Sequence, residues 1–206
     1  MVSPDVSRIV ADLQGTDLAR QVEALEKFFA LPTASVSNTD RRAVLIAGVK
    51  AMEASGNPYP IAERLLRFGE EAVSPLSDLL ARNPSPEVTT LAALILVNNG
   101  SRLGVPALVA EVERGGDYTI PASFALGNAG FADHVPAIIE RLRRWPMPPT
   151  HEFPTADDDR ALTLLEVLSK LRVPLPDDIR RKYVDPQAPQ FFRLAVERHR
   201  VGGQDP

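Results

Sequence analysis

Gly100-Ser-Arg-Leu-Gly-Val-Pro-Ala-Leu-Val-Ala-Glu-Val112 is one of three versions of a single pattern in this chain. The others are Gly69-Glu-Glu-Ala-Val-Ser-Pro-Leu-Ser-Asp-Leu-Leu80 and Gly130-Phe-Ala-Asp-His-Val-Pro-Ala-Ile-Ile-Glu-Arg-Leu142. Each holds a Gly, a short linker, a Val, a Pro within two residues, and then apolar residues at helical spacing. Val73, Val105 and Val135 are 32 and 30 residues apart. Leu76, Leu108 and Ile138 keep those offsets, and so do Leu80, Val112 and Leu142. A helical unit recurring at a period near 30 predicts an all-α chain, an α-solenoid of antiparallel helix pairs.

Outward from the repeats the same grammar extends. Helix 60–68 pairs with 70–82, helix 86–99 with 102–114, and helix 119–129 with 132–144. Gly69, Gly100 and Gly130 fall where a left-handed C-terminal cap belongs. Leu65, Leu96 and Leu126 lie four residues before those glycines and point inward. Upstream, helices are expected over 3–14, capped by Ser3, and over 17–30. Another follows a polar loop at 33–39, capped by Thr39 or Asp40. Downstream, Trp145-Pro-Met-Pro-Pro-Thr-His-Glu-Phe-Pro154 forbids a helix with its four prolines. Helices 157–171, 176–184 and 188–199 follow. One domain is expected over 1–206. Cap helices fill 1–55, regular repeats 60–145, a Pro-rich loop 145–159 and C-terminal helices 157–200.

Composition narrows the chemistry. The absence of cysteine removes disulfides, thiolate metal sites and Cys nucleophiles, and fits a reducing compartment. The N-terminus lacks the basic and apolar regions of a signal peptide, and no apolar run is long enough for a membrane span. A cytoplasmic protein is the expectation. Net charge is −4 and neither half is basic, so no large electrostatic footprint for nucleic acid is visible.

Gly-Glu-Glu-Ala-Val at 69–73, Val-Pro-Ala-Leu at 105–108, Val-Pro-Ala-Ile at 135–138 and Ala-Leu-Gly-Asn-Ala-Gly at 125–130 resemble HEAT-like repeats. The short bacterial type, also found in phycobilin lyases, is the nearest likeness. The resemblance covers about residues 60–145. It implies an armadillo-type superhelix and an adaptor that binds other macromolecules along a curved surface. It also implies that second helices line the concave face. Their residues outside the core pattern include Ser77, Asp78, Arg82, Glu111, Arg114, Glu140, Arg141 and Arg144.

Catalytic and metal signatures are missing. No Gly-x-Ser-x-Gly elbow or phosphate loop is present. His134 and His199 have no second ligand at helical spacing, and His151-Glu152 is a single pair off the repeat pattern. Asp157-Asp-Asp159 behind Thr155 is better read as helix capping than as a cation site. No cofactor or metal is expected. Asn98 and Asn128 recur two residues before a repeat glycine, which suggests a structural task.

The 145–159 insertion is the most suggestive feature for binding, with Trp145, Met147, His151 and Phe153 as exposed candidates. Trp145 has an alternative, to cover the seam between neighbouring helix pairs. The reading that follows is a non-catalytic adaptor or regulator of a protein partner. The alternative is a nucleic-acid binder, similar to HEAT-like DNA glycosylases, using Arg141, Arg144 and Arg180–Lys182, with Arg143 and Arg193 nearby. A homodimer through the terminal helix with Phe191 and Phe192 is a further expectation.

Overall fold

The computed structural model describes residues 3–147 and 153–199. It is all-helical, with no strand among the described residues. The chain divides into two compact units, residues 1–104 and 105–206.

The first unit holds α1 (Pro4–Leu13), α2 (Leu18–Ala30), α3 (Asn38–Ala54), α4 (Tyr59–Leu65), α5 (Val73–Ala81) and α6 (Pro86–Asn98). Short 3-10 turns at Thr33–Ser35, Leu66–Ala72 and Arg102–Gly104 join or end them. Local chemistry sets the starts. The Ser3 hydroxyl accepts from the Val6 amide, and Asp17 accepts from the amides of Ala19 and Arg20. α3 begins earlier than expected, because Ser37 is its cap. Asp40 is the reciprocal partner three residues on, accepting from the Ser37 amide and hydroxyl. The same carboxylate accepts from the Ser3 amide, tying the two helix starts together and holding Asp40 below the usual carboxylate range.

The second unit holds α7 (Val105–Arg114), α8 (Thr119–Asn128), α9 (Val135–Arg144), α10 (Ala156–Lys170), α11 (Asp177–Val184) and α12 (Gln190–Arg198). The second helices of the repeats are shorter than expected. Each begins at the repeat valine, after a turn, with the repeat proline in its first turn where a missing N–H is harmless.

Contacts run between near neighbours in chain order. In the first unit α1 packs on α2 and α3, α2 on α3 and α4, α3 on α4 and α5, and α6 on α4 and α5. In the second, α7 packs on α8 and α9, α8 on α10, α9 on α10 and α11, and α12 on α10 and α11. The repeat leucines make the core. Leu65, Leu96, Leu126, Leu76, Leu108, Ile138, Val112 and Leu142 are all fully buried. Leu80 is half-buried instead, and Leu79 takes the inward position. Gly100 and Gly130 have φ of +75° and +70°, the left-handed caps expected of the repeat, whereas Gly69, expected as a third, has φ +61° with ψ −138° and kinks the chain within the Leu66–Ala72 turn. After Gly100 the bonds Ser101 N to Leu96 O and Gly100 N to Val97 O complete a Schellman motif. The same pair of bonds surrounds Gly130.

Candidate functional site

The most developed surface of the second unit lies where α9 ends and α10 begins. α9 turns Ala137, Ile138 and Leu142 inward and leaves its charged residues outside. Its last carbonyls need donors. Lys182, on α11, supplies them: its ammonium donates to the carbonyls of Leu142 (3.0 Å), Arg143 (2.7 Å) and Trp145 (2.5 Å). The Tyr183 hydroxyl also donates to the Leu142 carbonyl, at 3.1 Å. Burial lowers the Lys182 pKa and raises that of Tyr183. Beside them Arg143 donates to Asp178 at 2.6 Å, which holds the Asp178 carboxyl low and the guanidinium high. Three interactions therefore latch α11 to the end of α9.

Trp145 follows that end. It is buried, at 7 % exposure, not exposed as a binding hot spot. The cause is local. Lys182 holds the Trp145 carbonyl, and the ring lies under the Arg141 guanidinium, 5.3 Å from its centroid. Trp145 therefore forms a wall. Phe153, by contrast, is 74 % exposed, as expected for the insertion. Met147 is half-buried, and His151 lies outside the described residues.

A groove of about 320 Å³ opens here. Arg141, Arg144, Trp145 and Pro146 form one side; Thr155, Asp157, Asp158 and Arg160 form the other. The acidic run caps α10. Asp158 is buried and accepts from the Thr155 amide (2.8 Å) and hydroxyl (2.7 Å), while Asp157 pairs with Arg160 at 3.6 Å. Arg144 pairs with Glu140 at 2.7 Å. Arg141 has no carboxylate within salt-bridge distance among the described residues, and its Nε is buried without a hydrogen-bond partner. No group of three or more metal-ligating side chains gathers among the described residues.

The remaining candidates separate. Glu111 is buried at 1 % exposure, not on a solvent face. It accepts from the Tyr118 amide at 2.9 Å and pairs with Arg114, so it holds the α7–α8 turn closed. The turn glycines explain how it fits: a Cβ on Gly116 would collide with the Glu111 carboxylate. Arg82, in the first unit, pairs with Glu53 at 2.7 Å, joining α5 to α3 and raising the Arg82 pKa. Ser77 donates to the Val73 carbonyl of its own helix, and Asp78 is exposed. Of the cations expected to meet nucleic acid, Lys182 is consumed by carbonyls and Arg144 by Glu140, while Arg180 is exposed. Phe192 of the terminal helix is fully buried, against Tyr183 (5.1 Å) and Phe191 (4.9 Å), so it belongs to this chain's own core.

Two features escaped sequence reasoning. Lys182 has no signal as a cap, since its partner helix lies 40 residues upstream. His134 is wholly buried with neither ring nitrogen in hydrogen-bond geometry. Burial pushes its pKa down, and the nearby Phe131 backbone and Asp133 charge oppose this without reversing it. His199 is better served, with Nε2 2.7 Å from the Val173 carbonyl. Asn98 donates to the Leu94 carbonyl of its own helix, in line with a structural task.

No helix among the described residues is long and apolar enough to cross a membrane. No protein-family model matches the chain, and comparisons with curated proteins and with solved structures likewise give no match.

Proposed function

We propose that this chain is a HEAT-like α-solenoid of the cytoplasm that works without catalysis, as an adaptor or regulator of a protein partner. The repeat spacing of 32 and 30 residues supports the solenoid, together with packing confined, in each unit, to the next helix and the next but one. The binding reading rests on Phe153. A phenylalanine 74 % exposed, two residues before the Thr155 wall of a charged groove, leaves a large apolar surface in water beside fixed polar groups. Aromatic side chains so placed are enriched as anchors at protein interfaces. Nucleic acid is less well served, because phosphate binding scales with the cations available and Lys182 is withdrawn from that role.

Affinity capture from an extract of the source cells, with wild type and Phe153→Ala as baits, tests this. A specific protein retained by wild type and lost by the equally folded variant is the expected result. If wild type retains no specific protein, the adaptor reading fails.

A further inference from the structure

The groove beside Phe153 contains an asymmetry that points to its occupant. Three guanidinium groups line it, and two are matched: Arg144 with Glu140 at 2.7 Å and Arg160 with Asp157 at 3.6 Å. Arg141 is matched by no described carboxylate. It is half-buried, and its Nε lies shielded from water without a partner. That nitrogen is as far out of reach of a ligand as of water, so what the residue offers the groove is its unmatched charge.

Arg141 is also held in place. Its guanidinium lies over the Trp145 ring at 5.3 Å. It also occupies the space that a side chain at position 115 would take: Gly115 has φ +67°, and a Cβ there would overlap the Arg141 terminal nitrogens. A planar fork fixed against a ring and a bare backbone is pre-organised for a carboxylate, with little ordering left to do on binding.

We propose that the groove takes a single carboxylate on Arg141, from an aspartate or glutamate side chain in an acidic segment of a partner protein. This rests on the adaptor reading above and names the chemistry of its partner. The charge count selects one carboxylate over a polyanion. Glu140, Asp157 and Asp158 stand around the groove, so a strand with a phosphate on every nucleotide would meet repulsion on either side of Arg141. A volume near 320 Å³ suits one or two side chains, and Phe153, two residues before Thr155 of its wall, is exposed.

The chain has one tryptophan, so a ¹H–¹⁵N NMR spectrum carries a single indole cross-peak, placed in this groove. Full-length protein would be titrated with a capped Ala-Glu-Ala-Glu-Ala peptide, with its glutamine counterpart, and with single-stranded oligodeoxythymidylate. The glutamate peptide should shift the Trp145 indole signal saturably, and the glutamine peptide should not. Arg141→Gln should weaken binding at least about tenfold, as loss of a charge-assisted bond requires. Arg141→Lys, which keeps the charge and loses the fork, should also bind more weakly than wild type. Equal shifts from both peptides, no shift from either, tighter binding of the oligonucleotide, or undiminished binding by Arg141→Gln would each overturn the proposal. Should Arg141→Gln not fold, the glutamate–glutamine comparison on wild type decides alone. A captured partner with no glutamate response would sink this inference and leave the adaptor reading standing. A glutamate response with no captured partner would sink the adaptor reading, and with it the protein source of the carboxylate, while leaving Arg141 as a carboxylate site.

Discussion

Lys182 shows how a single side chain can finish a helix that its own sequence leaves open. Its ammonium and the Tyr183 hydroxyl both reach the Leu142 carbonyl, so the two are not equivalent in effect. Lys182→Met strips the donors from the carbonyls of Arg143 and Trp145 as well. It should destabilise the protein by about 1–3 kcal/mol in urea unfolding and red-shift Trp145 emission as its backbone anchor loosens. Tyr183→Phe leaves Leu142 with Lys182 and should cost only about 0.5–1 kcal/mol. His134 makes a second residue-scale prediction. Its folded pKa is depressed, so below about pH 6.5 the unfolded chain takes up a proton that the folded chain refuses. Stability on this account is full above that pH and falls as pH drops through the unfolded value towards the folded one. Unfolding free energy measured at pH 7 and pH 5.5 should therefore decline in wild type by up to about 1.4 kcal/mol per pH unit. His134→Leu removes the titrating ring, so this part of the decline should vanish. A slope identical in both proteins would mean that His134 is not its source.

At the scale of the helix, termination is where sequence and structure can be compared most closely. Gly100 and Arg172 occupy the same position in equivalent Schellman motifs, with φ of +75° and +55°. Around Arg172 the bonds run from Val173 N to Leu168 O and from Arg172 N to Ser169 O. Nothing lies within 4 Å of a Cβ built on Gly100, so Gly100→Ala is opposed by backbone conformation alone and should cost about 1–2 kcal/mol. Arg172→Gly relieves that same strain in an exposed residue and should stabilise by about 0.5–1 kcal/mol, measured by thermal or urea unfolding. The caps at Gly100 and Gly130 are legible because glycine announces a left-handed residue; the cap at Arg172 is not, because arginine announces nothing of the kind. Helix starts were legible where a local side chain makes them, as at Ser3 and Thr155. They slipped where a 3-10 turn intervened, as before Val73 and Val105, since that turn and a first α-turn share their residue preferences.

For the whole molecule, the legible part is what repeats. Leu65, Leu96 and Leu126 were placed in the core by recurrence alone, and all three are fully buried. The candidate site was legible only in outline, because its decisive contacts join residues far apart in the chain. Nothing near Trp145 in sequence foretells that Lys182 would hold its carbonyl, and Glu111 has the spacing of a surface residue until the Tyr118 amide bonds it inside. The division into residues 1–104 and 105–206 adds a prediction about cooperativity. Each unit carries its own buried leucines, and packing links helices close in chain order, so the effect of a core defect should stay near its origin. Leu65→Ala removes a fully buried side chain from the first unit and should cost about 2–5 kcal/mol there. The only tryptophan, Trp145, reports on the second unit, whereas circular dichroism reports on all helices. In wild type the two signals should follow nearly the same urea transition. In Leu65→Ala the dichroism should begin to fall at lower urea while the Trp145 midpoint stays near its wild-type value, since two-state behaviour fails once one unit opens first. If both signals shift together by the same amount, the units unfold as one cooperative body and the defect is shared across the chain.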